Sequence, residues 1–310
     1  MLEKIEQHLH LPTPVLQINH PLFEQKKVDC FVKRDELIHP DLCGNKWRKL
    51  KYNFQEAISK SCSGVITYGG MYSNHLVAVA AAGHFAELPT CGIIRSYQPD
   101  PNNPTIKKLL SYGMKLEYVT PANYRRKEKD DVVSEILARH KDYFVIPEGG
   151  TNDLALKGVE ESINEIDCFD YSHIVIGLGT GGTLAGVLKA TRDYNTKVIA
   201  VSPFKGAVDD IEGFHLLSVD DRERLEVVGS VIDVRFGGYH EDITDYIDRF
   251  KSLHDIDLDP VYTVKVMMTI DDLLSKDYFP HGSRIMVLHT GGLQGIEGYH
   301  YQYRKRLSAK

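Results

Sequence analysis

Two runs decide how this 310-residue chain reads: Gly44-Asn45-Lys46-Trp47-Arg48-Lys49-Leu50 and Gly177-Leu178-Gly179-Thr180-Gly181-Gly182-Thr183. The second follows an apolar stretch, His173-Ile174-Val175-Ile176, and precedes a helix-like run from Leu184 to Lys189. A short apolar strand, a glycine turn and a helix in succession make one unit of a parallel sheet. Glycines let backbone N–H groups close on an anion, and the dipole of the helix that starts there favours negative charge. Thr180 and Thr183 add hydroxyl donors. The first run presents Lys46 at a loop-to-helix junction, a common place for functional side chains.

Outward from these runs, strand-like and helix-like segments alternate. Strand patterns lie at 30–33, 64–68, 91–94, 114–119, 143–146, 173–176, 197–201 and 284–289. Helical spacing covers 47–59, with Trp47, Leu50, Phe54, Ala57 and Ile58 on one face, and also 74–86, 103–112, 130–140 and 265–274. Strands of four to six apolar residues between longer helices predict an α/β fold, with open twisted, mostly parallel sheets covered by helices on both faces. Two glycine-rich turns, Gly69-Gly70 and Glu148-Gly149-Gly150-Thr151-Asn152, enclose a segment with its own alternation. We expect two domains. Residues 1–49 and 153–310 form the large one, and residues 50–152 form a small inserted one that closes over the ligand, with borders placed to within about four residues.

Composition narrows the partners. The net charge of −6 gives no support for a nucleic-acid or acidic-lipid surface. The longest apolar stretch, Leu76 to Ala82, is too short to span a bilayer. The first seven residues mix both charges and lack the apolar core of a signal peptide, so a cytoplasmic protein is expected. Cys30, Cys43, Cys62, Cys91 and Cys168 are odd in number and form no Cys-x-x-Cys pair. Neither a disulfide framework nor a metal site is expected. Cys43 stands out only because it lies three residues before Lys46.

The glycine loop also reads as Gly-x-Gly-x-x-Gly at 177–182, the pattern of a dinucleotide site. Such a site needs an acidic residue near the end of the next strand, and here that strand ends Ala200-Val201-Ser202-Pro203. A reactive amine beside a phosphate cradle is instead what pyridoxal 5′-phosphate requires. Arg48 and Lys49 read either as ordinary helix charges or as cations that lower the pKa of Lys46. Ser73-Asn74-His75 opens a helix, and Ser73 or Asn74 suits its N-cap. In that position the backbone amides could grip a substrate carboxylate, and the Asn74 carboxamide could donate to a ring hydroxyl. Thr290 closes an apolar strand and precedes Gly291-Gly292, where ligands of open parallel sheets sit. Tyr262, in Leu258-Asp259-Pro260-Val261-Tyr262-Thr263, reads by itself as a core or interface tyrosine.

Taken together, these runs resemble the pyridoxal-phosphate enzymes of the tryptophan-synthase-β-like fold (fold type II), and within them the D-cysteine desulfhydrase and 1-aminocyclopropane-1-carboxylate (ACC) deaminase family. The lysine run, Ser73-Asn74-His75, the 147–152 and 179–183 loops, the late tyrosine run and His289-Thr290-Gly291-Gly292 match in order, from about residue 33 to 295. The resemblance implies that Lys46 carries the cofactor and then acts as base. It implies that Asn74 bonds the ring oxygen, that Gly179, Thr180, Gly181, Gly182 and Thr183 hold the phosphate, and that Thr290 meets the pyridine nitrogen. Tyr72, Ser73 and His75 would face the substrate, and Tyr262 its amine, with Lys46, Ser73 and Tyr262 as the catalytic set. Thr263 and Thr290 replace the Glu and Leu that tend to mark ACC deaminases, which implies D-cysteine desulfhydrase-like β-elimination. ACC deaminase is the alternative, followed by D-serine ammonia-lyase or racemase. Two binding roles stand apart from these: a cofactor-binding protein with little turnover, and a nucleotide-binding module. Met71-Tyr72 replaces the family's usual Ile-Gln and bears on the substrate pocket. Family members are usually homodimers, so a homodimer is expected.

Overall fold

The computed structural model describes residues 1–203, 211–232, 234 and 238–308. Its strands are β1 (Val15–Ile18), β2 (Asp29–Lys33), β3 (Gly64–Gly70), β4 (Thr90–Arg95), β5 (Lys115–Val119), β6 (Tyr143–Ile146), β7 (His173–Gly177), β8 (Lys197–Ser202), β9 (Leu225–Gly229) and β10 (Arg284–Leu288). They form a six-stranded sheet in the order β1-β2-β10-β7-β8-β9 and a four-stranded sheet in the order β5-β4-β3-β6. The pairing is parallel throughout, except that β1 runs antiparallel to β2. The fold is α/β with mostly parallel sheets, as the alternation predicts. Gly69-Gly70, expected as a turn, is instead the end of β3, where it pairs with Ile94 and Arg95 of β4, and the four-stranded sheet joins that strand to β4, β5 and β6 from the segment that follows.

The two outer strands of the larger sheet, β1 and β9, escape the sequence pattern. Each is largely exposed or half-exposed along its length, so neither shows the continuous apolar run of a strand covered on both faces. The inner strands β7 and β8 are buried almost end to end.

The helix Asn45–Ser59 starts two residues before its expected position, so Lys46 sits inside its first turn. Gly44 explains the early start. It adopts φ +62°, and a Cβ there would lie 2.1 Å from the Thr290 carbonyl oxygen. Only glycine tolerates both that conformation and that contact. The helix buries Trp47, Leu50, Phe54 and Ala57 in one apolar cluster with the Ala/Val-rich helix Asn74–Ala86 and with Ile5, Ile38 and Leu42.

Its opposite side carries a charged network. Arg48 donates to Asp35 at 2.9 Å and to Glu165 at 2.6 Å, Lys33 donates to the Thr13 carbonyl at 2.7 Å and contacts Glu165, and Ser162 donates to Asp35 at 2.8 Å. Lys33, Asp35 and Arg48 are all buried, and pairing makes their burial tolerable. Arg48 therefore faces away from Lys46 and belongs to the scaffold.

Where the helix Asp153–Asn164 crosses this one, a Cβ on Gly158 would lie 1.8 Å from the Arg48 carbonyl oxygen. Gly158→Ala must push the two helices apart. We expect a loss of about 2 kcal/mol or more, read as a lowered denaturant midpoint at unchanged slope.

Candidate active site

A cavity of about 570 Å³ opens at the carboxyl ends of β3, β4, β7 and β10. It brings together Lys46, Tyr72, Ser73, Asn74, His75, Gly179, Thr180, Gly181, Thr183, Tyr262 and Thr290. Among the residues expected at the site, Gly182 alone does not line it. Gly182 lies behind the wall, where a Cβ would come within 2.8 Å of the Thr151 hydroxyl.

Lys46 reaches the cavity from the first turn of its helix, and its ammonium donates to Asn45 Oδ1 at 2.6 Å. The surrounding protein strips solvent from the amine and lowers its pKa to about 8, against a smaller opposing pull from Cys43 and Asp259. Asn45 also donates to the Thr183 hydroxyl at 2.9 Å, so one carboxamide joins the lysine to the glycine loop. The Cys43 thiol is buried and pushed up to about 12 by that burial, which leaves it unreactive beside the lysine.

The loop after β7 turns at Gly181, with φ +84°, into the helix Gly182–Ala190. Thr180 is held from several sides. Its hydroxyl is 2.6 Å from that of Thr151, its carbonyl accepts from the Gly213 N–H at 2.7 Å, and Lys49 Nζ lies 3.5 Å from its Oγ1. Gly149, at φ +66°, lets the 148–151 turn press against it, since a Cβ there would be 2.7 Å from Thr180 Cγ2. The loop is thus preorganised by packing before any anion arrives.

Ser73 is the N-cap of the helix Asn74–Ala86, accepting from the Leu76 N–H at 3.3 Å. A buried acceptor faces the same region. The Thr67 hydroxyl donates to the Ile146 carbonyl at 2.8 Å, so at its 2.8 Å contact with His75 Nε2 it must accept, which assigns the proton to Nε2. His75 Nδ1 is then a buried acceptor with no hydrogen-bond partner among the described residues. Burial, and next the charges of Lys49 and Lys46, hold the ring neutral, far below its ordinary pKa.

Tyr262 stands over Gly177 and Gly179; a Cβ on Gly179 would lie 3.6 Å from its hydroxyl. Burial, followed by Asp259 and Glu148, raises its pKa, so the phenol keeps its proton. Asp259 braces this turn, accepting from the N–H groups of Val261, Tyr262 and Thr263 and from the Thr263 hydroxyl. Thr263 is therefore spent on Asp259 and does not line the cavity, whereas Thr290 does.

The family model described as "Pyridoxal-phosphate dependent enzyme" matches residues 7–291. The chain belongs to that family. A protein of Pyrococcus horikoshii named putative 1-aminocyclopropane-1-carboxylate deaminase is 29% identical over 88% of this chain and 86% of its own length. An Arabidopsis thaliana protein named bifunctional D-cysteine desulfhydrase/1-aminocyclopropane-1-carboxylate deaminase, mitochondrial, is 28% identical over 93% of this chain and 78% of its own. The crystal structure of an ACC deaminase homologue superposes with a TM-score of 0.80 at 25% identity, over 97% of this chain and 94% of that one. The protein is a fold type II enzyme dependent on pyridoxal phosphate.

The cavity fits that cofactor. It offers an amine of lowered pKa for the aldehyde, and a turn at Gly179–Thr183 braced for an anion. Lys49 adds a buried cation beside that turn. The sequence does not distinguish Lys49 from its neighbour Arg48, which has the same charge, because a one-residue step decides which way each points. Asn45 was legible only as part of the lysine run. Among the described residues no helix is long and apolar enough to cross a membrane, and no group of three or more His, Cys, Asp and Glu side chains could hold a metal ion.

Two outcomes follow. Cofactor-free protein should take up pyridoxal phosphate at a rate that rises with pH and levels off above a midpoint near 8, because only the neutral amine adds to the aldehyde. A midpoint near that of an exposed lysine would contradict the burial argument. Lys49→Ala should weaken retention of the cofactor roughly tenfold or more, measured by dialysis and the visible absorption band, since the buried cation beside the glycine loop is lost.

Proposed function

We propose that the protein is a lyase that removes a β-substituent from a small D-amino acid, with D-cysteine as substrate and pyruvate, ammonia and hydrogen sulfide as products. The observation that carries this reading is Thr290, a neutral hydroxyl on the cavity wall just past β10. Bound pyridoxal phosphate supplies an electron sink beside the substrate Cα, and with only a hydroxyl toward its ring nitrogen that sink is weak, which suits proton loss at Cα with prompt departure of a β-group. ACC has no hydrogen at Cα and needs a different first step.

The chain's own groups divide the work. Lys46 Nζ takes the Cα proton, and its lowered pKa keeps a useful fraction of the amine neutral at physiological pH. Tyr262 retains its proton and donates a hydrogen bond toward the substrate. The amides at the start of the helix Asn74–Ala86 receive the substrate carboxylate beside Ser73 and His75, with Tyr72 flanking the pocket. The Asn74 carboxamide serves the ring hydroxyl. Gly179, Thr180, Gly181 and Thr183 hold the phosphate together with Lys49, and Gly182 contributes through its backbone at the helix start. Cleavage of the Cβ–S bond leaves aminoacrylate, which takes up water to give pyruvate and ammonia, while the sulfur leaves as hydrogen sulfide. The reading includes residues 50–152 as a closing domain, a homodimer, and a reducing cytoplasm, which suits five free thiols.

The test is release of sulfide and pyruvate from D-cysteine by cofactor-loaded protein. We expect equal amounts of both, abolished in Lys46→Ala. A visibly yellow protein that releases neither, and that forms 2-oxobutanoate from ACC, would replace this reading with the deaminase.

A further inference from the structure

Three cations line the cavity, and two have work already: Lys46 carries the cofactor, and Lys49 lies against the phosphate loop. The third is Arg95. The two carboxylates of the cavity are both engaged, Asp259 with the turn it braces and Glu148 with Lys127 at 3.3 Å. The Arg95 side chain makes no hydrogen bond or ion pair among the described residues.

Its position is well defined all the same. Arg95 ends β4 and pairs in register with Gly70, the last residue of β3, directly before the 71–75 turn. A Cβ on Gly70 would lie 3.6 Å from Arg95 Nη2. Arg95 is exposed at the cavity mouth, and its guanidinium carbon lies 5.4 Å from the centroid of the buried Tyr124 ring, a cation–π contact that leaves the N–H fork for another partner. The helix Ile296–Ser308 brings Gln302 to the same cavity. That helix is tied to the loop after β4 by Asp100, which accepts from Lys305 at 2.7 Å and from the Tyr301 hydroxyl at 3.2 Å. The strand end that carries Arg95 and the helix that carries Gln302 are therefore held to one another.

A planar fork of N–H donors without an anion, on the wall of an amino-acid site, matches a second acid group on the substrate. We infer that Arg95 is a specificity-determining residue that takes an anionic group on the substrate's side chain, so that the enzyme holds amino acids with an acidic side chain in preference to their neutral counterparts. This rests on reading the cavity as an amino-acid site and extends that site from neutral to acidic side chains.

Binding tests it without turnover. Calorimetry on the cofactor-loaded protein compares D-aspartate with D-asparagine and D-glutamate with D-glutamine, each pair repeated in the L series, because each pair changes charge at nearly constant shape. We expect the acid to bind roughly tenfold or more tightly than the amide in at least one pair. Arg95→Gln should abolish that difference. Should Arg95→Gln fail to fold, Arg95→Lys, which keeps the charge and loses the fork, should shrink the difference several-fold. Equal affinities in every pair, or a preference that survives Arg95→Gln, would overturn the inference. Sulfide release from D-cysteine without an acid preference sinks this inference alone, and an acid preference without sulfide release sinks the desulfhydrase reading alone.

Discussion

The backbone of Gly44 lies against the backbone of Thr290, and much of the site depends on that contact. The Asn45 N–H donates to the Thr290 carbonyl at 3.2 Å, which joins the start of the helix Asn45–Ser59 to the end of β10. Residues 245 positions apart in the chain are thereby fixed at the distance of a hydrogen bond. Lys46 follows one side of this junction and the Thr290 side chain stands on the other, so the amine and the hydroxyl share one cavity. A side chain at position 44 would wedge the two apart.

Behind the junction the helix is anchored by opposite means on its two sides. Apolar burial of Trp47, Leu50 and Phe54 holds it against the helix Asn74–Ala86, which opens the 73–75 turn. The Arg48–Asp35–Glu165–Lys33 network holds it against β2 and the helix Asp153–Asn164. Burial of unpaired charge is expensive, so this network admits few arrangements and resists rotation of the helix. Any rotation would carry Lys46 and Lys49 out of the cavity together.

Inside the cavity, desolvation acts alike on several groups. It favours the neutral amine of Lys46, the neutral ring of His75 and the protonated phenol of Tyr262. The amine can therefore accept a proton that the phenol cannot. The remaining formal charges are placed apart: Asp259 at its turn, Lys49 beside Thr180 of the glycine loop, and Arg95 at the open side.

Local chemistry was enough to show the strand–glycine–helix units, the start of the helix at Ser73-Asn74 and the glycine turn at 148–152, because periodicity and capping act over a few residues, whereas Gly69-Gly70 reads as a turn and is held in β3 by its pairing with β4. The order of the motifs along the chain pointed to the pyridoxal-phosphate family. Which side chains meet is a matter of tertiary structure. Nothing within the sequence turns Lys49 inward and Arg48 outward, moves Gly182 behind the wall, or leaves Arg95 without a carboxylate among the described residues. Those outcomes come from packing between separate elements, as where Lys49 meets Thr180, and a helix rotation or a strand register decides whether a charge lies in the scaffold or faces the cavity.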